Sequence, residues 1–410
     1  MKIIQLASYT GNIGDNANVS GTRRVLRENF GRELQFTDLE FEWFGTDPRW
    51  ARRRFDQAFV EEVNRHDLFL IGGGGFFGLT TDNTSTGTPI DIPLDILRQI
   101  KTPIVFYALG FHTMDGHVEE RAAKLKPYLE TILEMDHVLV SVRNDGSLAN
   151  LRRMFGESIA SRVYVCPDGG FFTQTKNSTH VEIEGGIRSI ALQLGGDRLE
   201  RRFSSSSPLW ETLLCKGAER LYRMAHGTTP SALPATADSF VRRLAHVFTD
   251  VLDHHTDVRV VLVPHIPSDF KMIDAFLKEL GHYHARNHVT VAPYLHGQEA
   301  QTYLFNLYEQ CVLTVGMRFH ANVCPIGLQV PSVGLVTYEQ IAALYDELRL
   351  TQRALHWDDP QFEMKLSLFV EESLGDTQAI RKQYQDVIKQ VHVQADAFHR
   401  VIMDKFSSVP

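Results

Sequence analysis

Two doubly wound α/β domains facing each other across a cleft, followed by a long C-terminal helix, form the fold class this sequence predicts. Three observations carry the prediction. Short β-like apolar runs alternate with helix-like segments along nearly the whole of the 410 residues, which is the rhythm of parallel sheets covered by helices on both faces. That rhythm pauses once, in the polar stretch Thr173 to Glu184, and then restarts. The composition, 43% hydrophobic and 22% charged, is that of a globular chain able to bury one or two full cores.

In chain order, the first half offers strands at Lys2 to Ala7, Leu34 to Glu40, Asp67 to Ile71, Pro103 to Ala108, His137 to Ser141 and Arg162 to Val165. Helical patterns fill the gaps, notably Ala17 to Phe30 and Val118 to Leu133. The second half offers strands at Ser189 to Leu194, Val258 to Val263, His288 to Ala292, Cys311 to Val315 and Ser332 to Leu335. Between its first two strands, Arg201 to Pro234 carries a serine run and several prolines and reads as an insertion or mobile loop over a cleft. The last 31 residues place Ile380, Tyr384, Val387, Ile388, Val391, Phe398, Val401, Ile402 and Phe406 at intervals that include threes and fours, the mark of an amphipathic helix. The expected organisation is therefore an N-terminal Rossmann-like domain over 1–175, a C-terminal one over 185–360, and helices over 361–410 packing back. Ligands of such domains bind at the carboxyl ends of the strands.

A net charge of −8 argues against nucleic acid as the main partner, so any anionic ligand must be met by local cations. Cys166, Cys215, Cys311 and Cys324 are too far apart for a CxxC pair and read as reduced thiols in a cytoplasmic protein. The apolar run after Met1 is too short for a secretory leader, and no stretch approaches a membrane span. Peripheral attachment at the inner face of a membrane stays compatible with this.

Five strand ends carry unusual residues. Gly11-Asn12-Ile13-Gly14-Asp15-Asn16 opens a helix and reads either as a site for a polar or anionic ligand or as a capped turn with Asp15 or Asn16 as N-cap. Gly72 to Gly78 formally contains GxGxxG, but no helix follows and the preceding strand is not the first of its domain. The glycines therefore read as permitting close approach of a substrate to backbone N–H groups, rather than as a nicotinamide site. Arg143 either reaches the cleft or ties down carbonyls at the sheet edge, and Asp168 reads as structural. Gly316-Met317-Arg318-Phe319-His320 follows a strand. In an extended segment Arg318 and His320 would point the same way, a guanidinium for carboxylate or phosphate beside an imidazole for proton transfer; the competing reading packs both into the sheet end. His282, His284 and His288 read as a solvated surface, leaving no metal site expected, and the Glu339 and Glu347 pair as an ordinary helix face or a glycosyltransferase spacing.

Taken in order, Gly11-Asn12-Ile13-Gly14-Asp15, Gly72 to Gly75, Ser141-Val142-Arg143, Pro264-His265 with Ser268-Asp269, Arg318-Phe319-His320 and Val330 to Gly334 resemble the polysaccharide pyruvyl transferase family, over about residues 3 to 345. The resemblance implies a glycosyltransferase-B-like architecture and an enzyme that moves the pyruvyl group of phosphoenolpyruvate onto a sugar of a cell-surface or exported polysaccharide as a ketal, with no redox cofactor. The acceptors of the family are saccharides, often built on lipid carriers. By the same resemblance the second domain is the donor side: His320 and Arg318 are the catalytic candidates, and Arg318, His320, Arg198 and Gly316 the donor-binding ones. Asn12, Asp15, Asn16, Gly73, Gly74 and Arg143 face the acceptor from the first domain. The chain departs from many relatives at Asn144, where they carry an acidic residue, and at Ile341, where they carry lysine. Two rivals remain open: a nucleotide-sugar glycosyltransferase of the same architecture, and an inactive saccharide-binding relative.

Overall fold

The computed structural model describes residues 1–45, 49, 51–113, 118–204 and 235–406. Most of the 201–234 insertion lies outside the described residues.

The first sheet is built from β1 (Lys2–Ala7), β2 (Gln35–Glu40), β3 (Leu68–Gly74), β4 (Ile104–Leu109), β5 (Val138–Val142) and β6 (Tyr164–Val165), in the order β2-β1-β3-β4-β5-β6. All of its pairs are parallel. The second sheet contains β7 (Arg188–Gln193), β8 (Val258–Leu262), β9 (Val289–Val291), β10 (Leu313–Gly316), β11 (Ser332–Val336) and β12 (Ala354–His356), ordered β12-β11-β10-β7-β8-β9 and again wholly parallel. Central strands such as Ile104–Leu109 are buried along their whole length, because helices cover both faces. That is why they read as continuous apolar runs. The expected strands are all present, and the sequence reading missed only β12, three residues with a single fully apolar position inside.

Helix Ile13–Phe30 begins four residues earlier than its apolar pattern suggested. Its N-cap is Asn12, whose Oδ1 accepts from Gly14 N at 3.0 Å, rather than Asp15 or Asn16, and Gly11 makes the preceding turn at φ +80°. Asp15 therefore stands in the first helical turn with its carboxylate free to face the second sheet.

The stretch after Phe172 is tied along helix Gln298–Glu309: Thr173 donates to Gln301 at 2.9 Å, Thr175 to Glu309 at 2.7 Å, and Ser178 N to Asn306 at 3.0 Å. The chain ends in helix Gln378–Lys405, about 42 Å long at 1.5 Å per residue. Its beginning packs with the second half, where Tyr384 accepts from Ser332 N at 3.2 Å. Its end packs with the first, where Phe398 and Ile402 join Ile3, Leu26, Phe30 and Leu34 and His399 Nε2 lies 2.8 Å from the Tyr107 hydroxyl. Burying Phe398 and Ile402 contributes about 1.5–3 kcal/mol each. Cys166, Cys311 and Cys324 are free and buried, and among the described residues no helix is long and apolar enough to cross a membrane.

Candidate active site

The carboxyl end of β10 lies at the centre of the second sheet, and its last residue, Gly316, turns directly under the following helix, His320–Gly327. A Cβ on Gly316 would stand 2.9 Å from the Ala321 Cβ, and its carbonyl accepts from Asn322 Nδ2 at 3.1 Å. Gly316 thus makes the turn, with its carbonyl taken up by Asn322. The three residues after it are bent rather than extended, so Arg318 and His320 do not point the same way. Arg318 turns into its own sheet and His320 crosses to the first.

Arg318 is 8% exposed and held by two carboxylates. Asp269 grips it through Nε, at 2.9 Å to Oδ2, and through Nη2, while Asp197 accepts from Nη2 at 2.7 Å. Asp269 is itself fixed by Gly196 N, Gln193 Nε2, His265 N and Ile266 N at 2.9–3.2 Å. Burial would raise Asp269 and lower Arg318; their pairing reverses both directions. Burial also opposes ionisation of Asp197, but Arg202 and Arg318 bring its carboxyl down to about 2. Among the described residues Arg318 Nη1 makes no hydrogen bond, so one edge of the guanidinium remains for a ligand. The expected donor residue Arg198 is exposed at a left-handed φ of +50°, and the residue of its loop that reaches Arg318 is Asp197.

His320 is clasped by the first domain. Its Nε2 lies 3.3 Å from Asp168 Oδ1, an ion-pair distance without hydrogen-bond alignment, and its Nδ1 lies 3.8 Å from Asp15 Oδ1. Gly14 permits this approach, since a Cβ there would come within 2.6 Å of the imidazole. Asp168 is fully buried. Burial opposes its charge, but His320, Arg143 and the Gly170 N–H pull its carboxyl down to about 2. Burial raises the Asp15 carboxyl against the pull of His320 and Arg143. An imidazole held between two carboxylates, one firmly ionised and one with raised proton affinity, suits proton transfer.

Arg143 neither reaches open cleft nor ties down carbonyls. It pairs with Asp145 at 2.5 Å and Asp168 at 3.4 Å, with its Cζ 3.9 Å from the centre of the Phe319 ring. The remaining expected acceptor residues are largely taken up by packing. Asn12 caps the helix; buried Asn16 accepts from Gly297 N at 2.7 Å and donates to Ser8 O, joining the domains. The space beside Gly73 is filled by Asn18 and that beside Gly74 by Phe76, so these glycines admit protein side chains. Asp15 alone of this group faces a candidate catalytic side chain. Glu347 accepts from Gly146 N at 2.8 Å, and His284 lies 3.2 Å from both His288 and Asp253. No group of three or more His, Cys, Asp or Glu side chains suited to a metal occurs among the described residues. Sequence reasoning undervalued Asp168, Asp197 and Asp269. Their available signal was an acidic residue in the loop after a strand: Asp168 and Asp197 three and four positions past β6 and β7, and Asp269 at the end of the short turn that follows β8.

Three histidines are buried far from neutral titration, and one of them, His112, is lowered by burial to about 3. Burial lowers His265 to about 3 and His399 to about 4. Below pH 6.5 the unfolded chain binds protons at these positions and the folded chain does not, so stability falls as pH falls. The expected loss between pH 7 and pH 5 is about 2 kcal/mol for each, while Glu347, whose carboxyl burial raises to about 7, works in the opposite direction over the same range. Urea denaturation of wild type and His399→Gln at both pH values isolates one contribution, and a variant that loses as much stability on acidification as the wild type would refute the assignment.

A sequence model of the family described as polysaccharide pyruvyl transferase matches residues 12–338. No curated protein matches the sequence significantly. Among solved structures, the S. aureus MnaA–UDP co-structure is similar at 10% identity with a TM-score of 0.51, over 96% of this chain and 90% of that one. UDP-GlcNAc 2-epimerase from Methanocaldococcus jannaschii is similar at 11% identity with a TM-score of 0.51, over 92% and 93%. At these identities the likeness concerns the fold alone, two facing Rossmann-like domains of the glycosyltransferase-B type.

Proposed function

This chain belongs to the polysaccharide pyruvyl transferase family, and from that premise we propose that it transfers the pyruvyl group of phosphoenolpyruvate to a saccharide as a ketal. The observation that carries the reading is the clasp of His320 between Asp15 and Asp168, two residues from a guanidinium with a free edge.

The donor carries a carboxylate and a phosphate, which Arg318 Nη1 can meet while Asp269 holds the rest of the guanidinium rigid. In the reaction the methylene carbon of the donor gains a proton and becomes the methyl group. One sugar hydroxyl oxygen bonds to the adjacent carbon, and its proton replaces the one given to the methylene. A second hydroxyl bonds to the same carbon as the C–O bond to phosphate breaks, and its proton departs with the phosphate. His320 would carry protons between these sites, with Asp168 orienting the ring and Asp15 as the neighbouring proton acceptor. The acceptor would belong to a cell-surface or exported polysaccharide or its precursor, lipid-linked forms included, handled at the cytoplasmic face. No redox cofactor is required by this chemistry.

Thermal shift tests the donor assignment. Phosphoenolpyruvate at 100 times its dissociation constant should stabilise the wild type by about 2.7 kcal/mol, and Arg318→Lys, which keeps the charge but loses the planar fork, should lose most of that shift. A shift from nucleoside diphosphates and none from phosphoenolpyruvate would favour a nucleotide-sugar glycosyltransferase instead.

A further inference from the structure

Beside the Arg318 network lies a pocket of about 480 Å³, within the roughly 300–1,000 Å³ typical of small-molecule sites. We propose that this pocket receives the acceptor saccharide. The inference rests on the pyruvyl-transfer reading and moves the acceptor away from the residues first expected to hold it.

Both domains supply its wall. His112 and Asn150 come from the first; Tyr338, Glu339, Trp357 and Asp358 come from the ends of β11 and β12 in the second. The position of His112 explains the glycine run after β3, because a Cβ on Gly78 would stand 2.4 Å from its Nε2 and one on Gly75 3.0 Å. The run thus seats an imidazole in the pocket wall, and the Nδ1 of that ring has no hydrogen-bond partner among the described residues. Trp357 is anchored edge-on against Phe203 at 5.4 Å, and Tyr338 carries the Arg202 guanidinium 4.8 Å from its ring centre.

This chemistry suits a neutral polyol better than the anionic donor. The Glu339 and Asp358 carboxylates accept hydroxyl hydrogen bonds but repel phosphate and carboxylate. Two cations share the wall: Arg202 is already paired with Asp197 at 3.0 Å, and Arg201 is not free either. Aromatic side chains beside short polar ones provide apolar faces for a sugar ring and partners for its hydroxyls. Phosphoenolpyruvate is too small to need such a volume. A chain of side chains links the pocket to the reaction centre: Gln340 in its wall donates to Asp145, and Asp145 pairs with Arg143, the partner of Asp168.

Saturation-transfer NMR tests this on the full-length protein, with methyl hexopyranosides of galactose, glucose and mannose and their 2-acetamido analogues as probes and phosphoenolpyruvate present. Wild type should saturate at least one sugar. Trp357→Ala and the pocket-filling Asn150→Trp should each weaken that sugar at least tenfold, with the thermal shift by phosphoenolpyruvate unchanged as evidence of an intact fold. Equal sugar binding by wild type and both variants, or no sugar binding at all, overturns the pocket assignment. Failure of phosphoenolpyruvate to shift the wild type, with sugar binding lost in the variants, would instead overturn pyruvyl transfer and leave the saccharide site standing.

Discussion

Asp269→Ala should leave the protein barely folded. The substitution strips a buried guanidinium of its principal partner, at a cost of about 3–5 kcal/mol. It also orphans backbone N–H groups of Gly196, His265 and Ile266 together with Gln193 Nε2, at about 1–3 kcal/mol for each group that finds no water. Against a total stability of about 5–15 kcal/mol, even the lower sum is disabling. A urea midpoint shows the effect. Removing Arg318 as well should cost less than the sum of the two single changes, because the uncompensated charge goes with it. Strictly additive losses would mean that Asp269 acts through its backbone partners and not through Arg318.

His320→Ala should behave in the opposite way, keeping the fold and losing the chemistry. Asp168 retains Arg143 and the Gly170 N–H, so the buried carboxylate is not stranded. Removing a group that carries protons in the transition state lowers turnover by about 10²–10⁴-fold. The loss should fall on kcat with little change in the phosphoenolpyruvate thermal shift. If instead kcat persists and only the shift disappears, His320 binds the donor and the proton passes elsewhere, with Asp15 next in line.

The fold was largely legible because a strand covered on both faces must be apolar throughout. Runs such as Ile104–Leu109 and Leu68–Ile71 announce themselves, whereas β12, at a sheet edge and only three residues long, leaves no period to read. The site was less legible. Arg318 and His320 stood out by type and place, but the bent backbone between them, which sends them to different partners, has no signature in five residues of sequence. The glycines after β3 were visible as a need for close approach. What approaches was not visible, since His112 lies more than 30 positions downstream and meets them only once β3 and β4 have paired. The surroundings of Asp168, a residue that reads as structural, were hidden for a similar reason. Its partners Arg143 and His320 arrive from another loop and another domain.

The C-terminal helix sets the mechanical character of the whole molecule. A rigid rod fastened to the second half through Tyr384 and to the first through His399 acts as a splint across the cleft. It makes wide gaping costly, because one fastening would have to let go. Under the proposed reaction, substrates would enter a slot whose width is nearly fixed, and acceptors would be selected by what can slide in rather than by what the domains can close upon.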